Sequence, residues 1–257
     1  MKNTSVKPKT KKISAISTCH YVKLILRSLL FLGVLVYYIL GKIYVLKNFT
    51  PLPLAVWIFF VVEMALRFFP SRIESMGCQK QFKRNYEPRG EGIEPTNQPW
   101  TATFSVALSW LILNALIGVL YYTDIVDRGI LVLIALAFSV CDIICILFFC
   151  PFQTWFMKNR CCGSCRIYNW DFAMMFTPLV FIPSWYTYSL VGFSLILLLR
   201  WEIAYKVHPE RFSTSTNKCL DCSRCEEKLC SHKKQLQGFL KKYKSKFFSG
   251  KNTQKNK

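Results

Sequence analysis

Eight of the twelve cysteines in this 257-residue chain fall in two tight groups. Cys150, Cys161, Cys162 and Cys165 form the first, in CPFQTWFMKNRCCGSC. Cys219, Cys222, Cys225 and Cys230 form the second, in KCLDCSRCEEKLC, with His232 just after. Thiolates are soft ligands, and a C-x2-C turn brings two of them to one ion. Cys162–Cys165 and Cys219–Cys222 are both such turns, and together they could hold zinc tetrahedrally. The second group alone reads C-x2-C-x2-C-x4-C. It approaches the C-x2-C-x2-C-x3-C-P run of bacterial iron–sulfur proteins, with one extra residue and no proline. Zinc and an iron–sulfur cluster both stay open as cofactors. Cys161–Cys162 also suits acylation beside a membrane. Cys141 and Cys145, one helical turn apart, read as small apolar residues.

A second set of residues matters because of where it falls. Arg27, Glu63, Asp142 and Asp171 interrupt long apolar runs. Ionisable groups at membrane depth are costly and are functional candidates by default. A proton or ion path is one reading. The other is local: Glu63 and Arg67 as an i,i+4 pair, Arg27 snorkelling outward, Asp171 capping a helix. Asp142 has no local partner, so it is expected to face the bundle and pair with Arg27 or Lys23.

The elements that must position these groups are apolar. Apolar residues make up 52% of the chain and mean hydropathy is +0.25, yet 34 Lys+Arg stand against 14 Asp+Glu. The two classes segregate into long apolar runs and short basic blocks, which excludes an ordinary cytosolic enzyme. The same segregation argues against nucleic acid as the meaning of the charge. A run of about 20 apolar residues crosses a membrane as a helix. The chain is therefore expected to be an all-α, polytopic integral membrane protein of about six transmembrane helices. Their expected bounds are 21–41, 51–69, 102–122, 130–150, 167–182 and 184–203. The last two are a hairpin broken by Pro178 and Pro183, turning at Pro183-Ser184.

Charge sets the orientation. Lys+Arg number 5 in 1–20, 2 in 42–50, 6 in 67–101, 1 in 123–129, 3 in 151–166 and 15 from Arg200 onward. Positive residues favour the cytoplasmic side. The alternation predicts a multi-pass protein of the cell membrane with both termini cytoplasmic. Its parts are a basic N-terminal tail (1–20), a membrane domain (21–204), a Cys-rich cytosolic segment (205–232) and a Lys-rich amphipathic tail (233–257). That tail carries Leu236, Phe239, Leu240, Tyr243 and Phe247 at helical spacing between lysines, the pattern of a helix lying on anionic lipids.

No P-loop, G-x-G-x-x-G, H-E-x-x-H or G-x-S-x-G occurs, and no catalytic residues are assigned. The leading expectation is a membrane protein with a cytosolic-face cysteine-ligated metal site, passing electrons to a redox partner. The alternatives are a transporter or channel with structural zinc, its solute unnamed, and a non-catalytic membrane scaffold. CCGSCRIYNWD and HPERF read as motifs without an assigned role.

Overall fold

The computed structural model describes residues 15–41, 51–70, 76–90, 92–96, 99–159 and 162–221, and no side chains before Thr18 or at Pro51–Leu52, 76–78 and Cys162. Residues 1–14 of the expected N-terminal tail 1–20, and the whole tail 233–257, lie outside the described residues, as do Cys161, Cys222, Cys225 and Cys230. Among the described residues the elements are helical, and the one β-feature is an isolated bridge between Pro88 and Asn217.

Seven α-helices occur among the described residues, all but the short α3 in apolar runs: α1 (Ala15–Ile39), α2 (Pro51–Leu66), α3 (Met76–Gln81), α4 (Trp100–Tyr122), α5 (Arg128–Leu147), α6 (Asp171–Phe176) and α7 (Trp185–Val207). Among the described residues three stretches are long and apolar enough to cross a membrane: Thr18–Ile39, Trp100–Tyr122 and Arg128–Leu147. Pro53–Leu66 is apolar but shorter. α1 stops where Gly41 adopts φ +65°, the left-handed conformation that glycine tolerates at a helix end. α5 starts at Asp127, whose Oδ1 accepts from the Ile130 N–H at 2.8 Å while its Oδ2 accepts from Tyr38 Oη at 3.1 Å.

The expected helix over 167–182 is corrected. The segment is three short pieces: a 3-10 turn Arg166–Trp170, α6, and a second 3-10 turn Thr177–Phe181. Proline explains the break. Pro178 has no N–H to give to the carbonyl one turn back, so α6 cannot continue through it. The hairpin itself is present. Arg166 Nη2 donates to Glu202 Oε2 at 2.5 Å at one end, and Thr187 Oγ1 donates to the Ile182 carbonyl at 2.6 Å by the turn. The broken leg therefore runs antiparallel to α7.

α1 packs on α5, and α2 on α7, where Trp57 Nε1 donates to Ser189 Oγ at 2.8 Å. The core joins α2, α5, α6 and α7 through Phe60, Met64, Ala135, Phe172, Met175, Phe176, Leu190 and Leu197. Outward faces stay apolar. Leu111, Ile112 and Leu116 on α4, and Leu29 and Val36 on α1, are exposed. A contiguous apolar surface of this kind suits a lipid solvent, not water.

The two ends of the bundle differ. At one end the stretches before α4, before α6 and after α7 interlock into a polar layer. Gln81 Nε2 donates to the Gly163 carbonyl at 2.7 Å, and Asn169 Nδ2 donates to Gln81 Oε1 at 2.8 Å. Asn217 Nδ2 donates to the Lys80 carbonyl at 3.1 Å, and the Lys218 N–H to the Glu87 carbonyl at 2.8 Å. Arg89 and Asp221 form an ion pair there. The other end is aromatic: Tyr121 and Tyr122 pack against Phe181, and Trp57 against Trp185 and Tyr186.

Candidate functional site

The ionisable residues of the apolar runs meet. Arg27 on α1 is the hub, 2% exposed at its side chain. Its Nη2 donates to Glu63 Oε2 on α2 at 2.6 Å, and its Nη1 donates to Asp142 Oδ2 on α5 at 3.2 Å and to the Ser139 carbonyl at 2.8 Å. Lys23 Nζ, one turn before Arg27, lies 2.9 Å from Glu63 Oε1. Arg67 reaches the hairpin, with Nη2 2.6 Å from Asp171 Oδ2 and Nη1 donating to Oδ1 at 2.8 Å. The six groups thus form two neighbouring clusters, Lys23–Arg27–Glu63–Asp142 and Arg67–Asp171. They hold three cations (Lys23, Arg27, Arg67) and three carboxylates (Glu63, Asp142, Asp171), and so are balanced. The side chains are 2% to 13% exposed except Lys23 at 18%.

Burial at this depth demands such pairing, because an isolated charge out of water costs several kcal/mol. Aromatic faces complete the enclosure. The Arg27 guanidinium lies 5.5 Å from the Phe60 ring centre, and that of Arg67 4.7 Å from Phe172. The structure pairs Asp142 with Arg27, one of the two partners its position calls for. Arg27 is buried, and Glu63 and Arg67 each reach another element. Asp171 is the first residue of α6, where its carboxylate bonds the Phe172 N–H as well as Arg67.

Above these clusters, toward the aromatic end, lies a cavity of about 930 Å³. Leu30 and Val34 of α1 form one wall, Val56, Trp57 and Phe60 of α2 another, and α5, Phe176 and Leu190 the back. Phe60 belongs to both features: it lines the cavity and backs onto Arg27. Asp124, Asp127, Arg128, Tyr122 and Tyr186 make the rim. Spans and isolated charges are visible in the sequence. A void between helices is not, because it depends on how far apart two packed pairs stand.

The cysteines are placed only in part. Cys19, Cys141, Cys145, Cys150, Cys165 and Cys219 are thiols. Cys150 Sγ accepts from the Gln153 N–H at 3.4 Å. Cys165 is buried against Val106, Met157 and Ile167. Cys219 sits in a 3-10 turn whose Asn217 cap accepts from its N–H at 3.0 Å. Among the described residues no three His, Cys, Asp or Glu side chains gather to hold a metal ion.

The motif C-R-I-Y-N-W-D is consumed by structure. The Arg166 guanidinium grips Glu202 through two nitrogens, Nη2 at 2.5 Å and Nε at 3.2 Å, and lies between Trp100 and Tyr205. Trp170 Nε1 donates to Glu202 Oε1 at 2.7 Å. Tyr168 stacks near Arg67, Asn169 binds Gln81, and Asp171 binds Arg67. Glu202 is a partner that sequence reasoning did not single out, its signal being a charge at the end of an apolar run; Arg67 was read only as a neighbour of Glu63, and its partner here is Asp171. No family model, curated protein or solved structure matches this chain.

Proposed function

We propose that the chain is an integral membrane carrier that crosses the bilayer six times, with the polar layer and both basic ends on the cytoplasmic side. The three long apolar helices supply three crossings. α2, the broken leg and α7 supply the others. The broken leg is long enough: ten 3-10 residues at about 2.0 Å and six α-helical residues at about 1.5 Å add to roughly 29 Å, close to the ~30 Å of a hydrocarbon core. The segments richest in Lys and Arg, 67–101 and the tail, join the polar layer where described, which agrees with the positive-inside rule.

One observation carries the carrier reading. The cavity and the buried Arg27 cluster share Phe60 as floor and roof. A cavity stopped by paired charges is a closed state, unlike an open pore. Transport then requires the Arg27–Glu63 and Arg27–Asp142 pairs to part while the ligand passes. The test is purified protein in liposomes, assayed with labelled solutes and fluorescent lipids. Flux above empty vesicles that is abolished in Glu63→Gln is expected. Equal flux in both, or none for any substrate class, would overturn the reading.

A second reading is favoured by a separate observation. Neighbouring residues of α3 fasten both cysteine segments: Lys80 receives Asn217, and Gln81 binds Gly163. This brings the chain around Cys162 toward that around Cys219, as a shared thiolate site requires. A structural zinc or an iron–sulfur cluster there would staple the cytoplasmic layer, with Cys162, Cys165, Cys219 and Cys222 as zinc ligands or Cys219, Cys222, Cys225 and Cys230 as cluster ligands. Metal analysis and an absorption spectrum of anaerobically purified protein test it. Cys225→Ser should abolish a cluster spectrum and leave zinc, and Cys162→Ser the reverse. Metal content unchanged in both sinks it.

A further inference from the structure

The cavity is a wedge between two helix pairs. In the direction of the polar layer α1 and α2 are held together by Lys23 and Arg27 reaching Glu63. Those long side chains bridge helices whose principal packing partners are α5 and α7 respectively. Toward the aromatic end the bridges stop and the void begins, between Leu30 and Val34 on one side and Val56 and Trp57 on the other. Both walls belong to helices whose outer faces are apolar and exposed, so the mouth of the wedge faces the hydrocarbon. From Arg27 to Tyr38 at the rim is eleven residues of helix, about 16 Å, roughly half the hydrocarbon thickness.

The rim is chemically different from the walls. Asp124 and Arg128 line it, are exposed, and have no ion-pair or hydrogen-bond partner for their side chains among the described residues. Asp127 is already occupied by Tyr38 and the Ile130 N–H. Tyr122 and Tyr186 add amphipathic rings at the same level, where such rings favour the bilayer interface. The site therefore offers one guanidinium, one unpartnered carboxylate beside a second that already accepts from Tyr38 and the Ile130 N–H, and an apolar slot one leaflet deep.

We infer that this wedge binds a zwitterionic phospholipid taken laterally from the leaflet at the aromatic end. The phosphate pairs with Arg128, the ammonium with Asp124, and one acyl chain fills the slot down to Phe60. Charge complementarity selects the head group. An anionic lipid leaves Asp124 unpaired beside Asp127, and a cationic amphiphile leaves Arg128 unpaired. A guanidinium suits a phosphate because its fork of N–H donors matches two oxygens. The apolar walls are what a water-soluble zwitterion would fail to use. This inference rests on the membrane placement of the carrier reading and names its ligand.

The full-length protein is reconstituted in vesicles doped with phosphatidylcholine carrying a photoactivatable group on one acyl chain, and cross-linked peptides are mapped. Labels concentrated on peptides holding Leu30, Val34 and Val56, displaced by unlabelled phosphatidylcholine, are expected. A phosphatidylglycerol probe should label these peptides about fivefold less, the worth of one exposed ion pair. Arg128→Glu should reduce phosphatidylcholine labelling by a similar factor without changing labels on lipid-facing Leu111. Val34→Trp fills the wedge and should bring labelling there to the Leu111 level; Val36→Trp, on the exposed face, should not. If the wild type labels the wedge no more than Leu111, or takes both head groups equally, the inference fails, whatever the variants do. Flux of a water-soluble solute with no wedge labelling would defeat the lipid and leave the carrier standing. Wedge labelling without flux would do the opposite.

Discussion

Six buried ionisable side chains interrupt the apolar bundle, and their behaviour follows from pairing. Arg67 and Asp171 meet through two nitrogen–oxygen contacts and are 6% and 8% exposed. Removing one partner strands the other, at a cost of about 3–5 kcal/mol for a buried pair. Replacing both with apolar residues of similar size removes that penalty. Arg67→Met alone and Asp171→Leu alone should therefore each be strongly destabilising, and the double variant should be less destabilised than their sum. Unfolding of the purified protein by denaturing detergent reads the difference. Additive losses would show that the pair is not an energetic unit and that it is looser than its geometry.

Elements pack closely where side chains are small. Gly118 on α4 is buried against Phe181 of the broken leg, and a Cβ there would lie 2.6 Å from the ring Cζ. Gly33 on α1 has nothing within 4 Å of the same position. Helix propensity favours alanine over glycine by about 1 kcal/mol at either site. Steric overlap opposes it only at Gly118, by about 1–3 kcal/mol. Gly33→Ala should be neutral or slightly stabilising, and Gly118→Val should lower the melting temperature measured in detergent. A Gly118→Val protein as stable as wild type would mean that the 177–181 turn is not seated on α4. The broken leg is an element in its own right. Its 3-10 geometry stretches sixteen residues over a distance that an α-helix of that length does not reach.

Across the whole molecule, the asymmetry of the ends has a topological consequence. The polar layer gathers residues 79–89, 163–169 and 217–221, while the turn at 123–127 lies with the aromatic end. A fluorescent-protein reporter after Lys257 should be active and an alkaline phosphatase reporter there inactive, and after Asp124 the pattern should invert. Matching patterns at both sites would exclude an odd number of crossings between them. That result would overturn the arrangement of α5, the broken leg and α7 as three crossings.

Much of this architecture was legible in the sequence because hydropathy is a local property. The apolar runs predicted α1, α4 and α5 to within a few residues, apart from an earlier start to α1, and the prolines located the hairpin. The described parts of the basic segments 67–101, 151–166 and 205–257 do interlock at one end. Asp142, lacking any neighbour of opposite charge on its own helix, pointed to a partner on α1. The partners themselves were a tertiary decision. Arg27 and Asp142 are 115 residues apart, and Arg67 and Asp171 104. Whether they meet depends on the register of helices against one another, which no local pattern encodes. The same holds for CRIYNWD, a motif without an assigned role in the sequence, whose Arg166, Trp170, Asn169 and Asp171 bond Glu202, Gln81 and Arg67 on other elements. It holds most of all for the wedge, an empty space set by the separation of two helix pairs. Local composition determines which residues avoid water; only packing decides what they enclose.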